Sequence, residues 1–128
     1  MASVCLQVCV LCGEGADATS EAAGRRLYRA LREACREASG IDVRAVDCLA
    51  VCDRPVTLVF RSDSPGRWSY LVGGADPRKD PADILAAARA VAASEHGVPA
   101  MAERPPFFRD GVIARLPPAR RLKSDRNG

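Results

Sequence analysis

The residues of this chain best suited to chemistry are its six cysteines, four of which stand in two close pairs. Cys9 and Cys12 form a C-x2-C, and Cys48 and Cys52 form a C-x3-C after thirty-five intervening residues. Four thiolates in two pairs suit a [2Fe–2S] rhomb, whose two irons each need two thiolates to complete a tetrahedron. They also suit one zinc ion surrounded by four sulfurs. A redox dithiol at Cys9 and Cys12 is the third chemistry, but the long 13–19 loop is expected to hold the following helix too far away to activate those thiols. Four unliganded core thiols are the weakest account, because core filling gives no reason to gather cysteines at loop ends.

The remaining candidates carry less. Cys5 falls inside an apolar strand, where a small buried thiol is ordinary; the run Cys5-x3-Cys9-x2-Cys12 is one residue short of plant-type ferredoxin spacing. Cys35 lies at the edge of a helix's apolar stripe. His96 stands beside Gly97 at a helix end, a place where histidine complements the helix dipole. Gly13-Glu14-Gly15 lacks the further glycine or lysine of a phosphate-binding loop. No general base, nucleophile or substrate pocket is evident, so the reading is of a binding protein or electron carrier rather than an enzyme.

The elements that must position the cysteines follow from periodicity. Residues 4–10 read as a first strand, with Val4, Leu6, Val8 and Val10 on one face. Residues 20–38 read as a helix with Ala23, Leu27, Leu31, Ala34 and Ala38 on one stripe and arginines outward, capped by Thr19 or Ser20 and ended at Gly40. Residues 41–46, 56–61 and 67–72 read as strands, the last two joined as a hairpin by Ser64-Pro65-Gly66. Asp80-Pro81-Ala82-Asp83 opens a second helix. The order β-α-β-β-β-α predicts a four-stranded mixed sheet with helices on its faces, an α/β fold of thioredoxin-like layout. The first two strands are parallel, so both cysteine pairs leave from the same edge of the sheet. Residues 1–97 form the expected metal-binding domain, and 98–128 a Pro-rich, basic extension that wraps the surface, with a short helical turn around Phe107 and Phe108.

Composition agrees with one globular domain: 48% of residues are hydrophobic and 27% charged. No apolar run approaches the roughly 18 residues of a membrane span, and the N-terminus lacks a secretory pattern, so the expected location is cytoplasmic, where a disulfide framework is disfavoured. The net charge of +3 is uneven. Residues 1–114 hold fourteen basic and fifteen acidic residues, whereas 115–128 hold five basic residues and one acid. A basic excess on a terminal tail, rather than on a folded face interleaved with aromatics, argues against a nucleic-acid partner.

The parts Cys48-Leu49-Ala50-Val51-Cys52, Arg54-Pro55-Val56-Thr57-Leu58-Val59 and Gly66-Arg67-Trp68-Ser69-Tyr70 resemble the thioredoxin-like [2Fe–2S] ferredoxins and the related small subunit of respiratory NADH dehydrogenase. The likeness covers about residues 4–95. With the early V-C-x2-C and the late Gly111-Val112-Ile113-Ala114-Arg115-Leu116-Pro117-Pro118, nearly the whole chain resembles an uncharacterised bacterial family of predicted metal-binding proteins. The resemblance implies Cys9, Cys12, Cys48 and Cys52 as cluster ligands and one-electron transfer as the role. The partner would then be a redox protein, or a metal-handling protein in the alternative of zinc, cobalt or iron trafficking related to cobalamin; no membrane is implied, and a homodimer is compatible. Arg54, beside Cys52, would stabilise the reduced, more negative cluster, and Asp53 would oppose it. The chain departs from the ferredoxins in having two rather than four or more residues between its first two cysteines.

Overall fold

A computed structural model describes residues 3–11, 22–50, 54–62 and 64–118. Five strands form one mixed sheet: β1 (Val4–Cys9), β2 (Ile41–Val46), β3 (Leu58–Ser62), β4 (Ser69–Val72) and β5 (Val112–Leu116), in the spatial order β2-β1-β3-β4-β5. β2 runs parallel to β1, and the other neighbours are antiparallel. The helices are α1 (Ala23–Ala34), α2 (Pro81–Ala93) and α3 (Pro106–Gly111). None of the described helices is long and apolar enough to cross a membrane.

The strand count is five, not four. The fifth comes from the segment expected to wrap the surface, and the turn of helix expected around Phe107 and Phe108 is α3. β5 pairs antiparallel with β4 through a register irregularity between Leu71 and Val72. Its prolines, Pro117 and Pro118, stand beyond the strand and remove no ladder donor, and an edge strand needs partners on one side only.

Burial follows position in the sheet. β1 lies between β2 and β3, and Val4, Cys5, Leu6, Val8 and Cys9 are all buried, so the alternation expected of a half-exposed strand is lost. β2 is an edge, and only Val43 is buried in it. Leu27 and Leu31 of α1, Ile84, Ala88 and Val91 of α2 and Phe108 of α3 join Val4, Leu6, Val8, Leu58, Phe60, Tyr70 and Val72 in one cluster. The described helices, expected on the faces of the sheet, therefore gather on one of them. α1 ends at Ala34 with Cys35 as its C-cap, a turn short of the expected 38, and Gly40, left-handed at φ 81°, follows in the turn into β2; the expected caps Thr19 and Ser20 lie outside the described residues. Asp80 stands at the N-cap position of α2, as expected, but its carboxylate accepts the Asp76 N–H (2.7 Å) and closes the preceding turn instead of capping the helix.

Candidate metal centre

The site is built by the end of β1. On one side Val10 N–H donates to the Val46 carbonyl (2.9 Å), and on the other Cys9 N–H donates to the Thr57 carbonyl (3.0 Å). The chain thus leaves β2 on one flank of Cys9 and returns to β3 on the other. Because β2 is parallel and β3 antiparallel to the strand between them, the 47–57 connection must straddle the point where β1 ends. That connection carries the C-x3-C, and the exit of β1 carries the C-x2-C.

Cys9 is buried, and its thiol donates to the Asp47 carbonyl at 3.7 Å, beside the residue that precedes Cys48. Cys48 is exposed. Its Sγ accepts the N–H of Ala50 at 3.2 Å, and Ala50 has φ 65°, a left-handed conformation that L-residues other than glycine seldom take. The turn folds an amide back onto the sulfur two residues earlier, while Leu49 packs against the core and anchors it. Cys12, Cys52 and Asp53 lie outside the described residues. Of the four expected ligands, the structure brings Cys9 and Cys48 to one end of the sheet. Among the described residues no three His, Cys, Asp or Glu form a group that could hold a metal ion.

Sequence reading missed Gly24. A Cβ there would collide with the Cys9 carbonyl oxygen and come within 3.1 Å of the Val10 Cα. The first turn of α1 therefore lies directly on the backbone of the end of β1, despite the long 13–19 segment that was expected to keep it away. Its positive dipole end favours anionic sulfur nearby. The signal was a glycine inside a helical pattern, which helices carry when something must approach closely. The returning segment is held on its far side. The Arg54 carbonyl accepts Gly74 N–H (3.0 Å) and Thr57 Oγ1–H (3.2 Å), and Val56 and Ala75 exchange backbone bonds of 3.2 and 3.0 Å. Arg54 itself is exposed.

The other candidates sit in the core or in turns. Cys5 is buried in the central strand, and Cys35 is buried where α1 ends; burial pushes the Cys35 thiol above its ordinary range, partly offset by Arg89. His96 lies beyond α2, in a 3-10 turn at φ 64°, and its carbonyl accepts Trp68 N–H at 2.8 Å. It docks the β3–β4 hairpin there. The Gly13-Glu14-Gly15 run lies outside the described residues.

No curated protein and no solved structure matches this chain. One family model does, over residues 6–118, and so takes in both cysteine pairs, all three helices and β5. By that match the chain belongs to the family described as protein of unknown function (DUF1636).

Proposed function

We propose that this protein binds a metal centre through Cys9, Cys12, Cys48 and Cys52, and that the centre is a [2Fe–2S] cluster serving one-electron transfer on a thioredoxin-like scaffold. The observation that carries the reading is the connection between β2 and β3, which straddles the end of β1 and brings the Cys48 turn to Cys9. The Ala50 N–H directed at the Cys48 sulfur fits a ligating thiolate, since an amide donor stabilises anionic sulfur. The start of α1 on the Cys9 backbone adds a positive dipole end. Bound there, a [2Fe–2S] cluster supplies a one-electron couple.

The chain's own part is to hold and tune. Leu49 and the paired backbone of Val56 and Ala75 fix the two ends of the connection, so that the Cys48 turn is held at the end of β1 before any metal enters. The exposed Arg54 guanidinium favours the more negative, reduced state. A reducing cytoplasm is the compartment that keeps such thiols available.

Colour and stoichiometry test the proposal. Anaerobic purification from iron-replete cells is expected to yield red-brown protein with two irons and two acid-labile sulfides per chain, and dithionite is expected to produce a paramagnetic signal. Cys48→Ser is expected to abolish bound metal. One zinc per chain without sulfide would end the electron-transfer reading and leave a metal-binding module. Full metal content in Cys48→Ser would end the four-thiolate site.

A further inference from the structure

We infer that the outer face of α1 is a docking surface for an acidic protein partner, seated so that the partner lies against the end of β1. Arg25, Arg29 and Arg32 follow one another at four- and three-residue steps, a single ridge about 10 Å long. All three are exposed. Tyr28 stands among them, half-buried, with the Arg25 and Arg32 guanidinium groups over its ring at 6.0 and 5.8 Å. The Arg32 Nη1 also donates to the Tyr28 hydroxyl at 2.9 Å. A neutral tyrosine thus sets the direction of two cations without cancelling their charge.

Charge in the domain is segregated. α1 carries four arginines and one glutamate, whereas the rest of residues 1–114 carries ten basic and fourteen acidic residues. Among the described residues, Glu33 pairs with Arg36 at 3.3 Å, and Asp42 pairs with Arg44 at 2.9 Å and also feels Arg32. Between the ridge and the edge strand β2 runs a cavity of about 620 Å³, lined in part by Arg29, Arg32, Arg36, Ile41 and Asp42. A surface with a positive ridge, apolar patches and two fixed acids suits an acidic protein face. It suits nucleic acid less well, because Tyr28 already has its ring covered by guanidinium groups instead of open to a base.

The ridge begins one residue after Gly24, the point where α1 lies on the Cys9 backbone. A partner drawn to Arg25 is therefore brought to the cysteine end of the sheet. That this partner exchanges electrons rests on the cluster reading above; that it is acidic does not.

Binding of fluorescein-labelled poly-L-glutamate to the full chain, followed by anisotropy at about 0.02 and 0.15 M salt, tests the surface, with metal content measured separately on each variant. The triple charge reversal R25E/R29E/R32E is expected to weaken binding at least about tenfold and leave metal content unchanged. Tyr28→Ala keeps every charge, and is expected to weaken binding about threefold by freeing Arg25 and Arg32. Reversing the tail cations at 120, 121, 123 and 126 is expected to change it less than either. Circular dichroism confirms that each variant folds, and Arg→Gln at the same three positions serves if the reversal does not. Unchanged binding in the triple variant, loss only in the tail variant, or tighter binding of duplex DNA than of poly-L-glutamate through the same residues would overturn the inference. Absence of iron and sulfide from the unmutated chain, with binding retained, would instead count against the cluster reading alone.

Discussion

The two ends of this sheet are ordered by different means. At the β4–β5 corner, Phe108 of α3 meets Phe60 at 5.0 Å and Tyr70 at 5.1 Å between ring centres, with all three side chains fully buried. Arg104 closes the group from above, its guanidinium 5.7 Å from the Tyr70 ring and 5.9 Å from the Phe108 ring. At the cysteine end, Cys48 and Asp47 are exposed, Leu11 is 53% exposed, and Ala50 holds a left-handed turn. The corner is held by apolar area removed from water. Among the described residues the cysteine end is held by backbone bonds from the flanking strands and by Leu49 packed on the core, which leaves the Cys48 sulfur at the surface.

The sharpest way to separate these two kinds of order is to cut the corner. Phe108→Ala removes the ring that touches both Phe60 and Tyr70 and is expected to cost about 3–5 kcal/mol of stability in denaturant unfolding. Metal bound per folded chain is expected to stay the same. A parallel loss of metal in the folded fraction would show that the two ends are one cooperative unit.

A second change works from the cysteine end. Gly24→Ala puts a methyl group into the Cys9 carbonyl, so α1 or the end of β1 must move. Backbone cannot yield as a side chain tip does, and the expected cost is about 1–3 kcal/mol. Here metal affinity is expected to fall as well, in contrast to Phe108→Ala. Equal metal affinity in Gly24→Ala and the natural chain, measured by competition with a chelator, would show that the start of α1 takes no part in the site.

How much of this was legible in the sequence differs between the same two regions. The parallel β1–β2 pair, the intervening helix and the β3–β4 hairpin follow from periodicity and turn residues, and the parallel pair alone puts both cysteine motifs at one edge of the sheet; that β3 flanks β1 on the other side, so that the connection crosses the end of β1, comes from the structure. A shared edge for Cys9 and the Cys48 turn was thus readable without a structure. The left-handed Ala50 was not, because no glycine or asparagine marks it. The close approach at Gly24 was not either, since the glycine reads only as a weak helix former until its neighbour is known. At the other end β5 was missed. Five residues flanked by Pro105-Pro106 and Pro117-Pro118 look like a linker, and only pairing with β4 makes Val112-Ile113-Ala114 a strand.

The smallest effect expected tests whether the packed corner is as complete as its burial suggests. The Tyr70 hydroxyl is buried and has no hydrogen-bond partner among the described residues. An unpaired hydroxyl in an apolar setting loses its water without recompense. The ring does all the packing, against Phe108 on one side and under Arg104 on the other. Tyr70→Phe keeps that ring and deletes the orphaned oxygen, so stability is expected to hold or to rise by up to about 1 kcal/mol. Tyr70→Leu, which keeps apolar bulk but gives up the ring contacts, is expected to fall below both. A loss of more than about 1 kcal/mol in Tyr70→Phe, read from the urea midpoint at constant m-value, would mean that the hydroxyl does have a partner, and that the corner is held by a hydrogen bond as well as by aromatic packing.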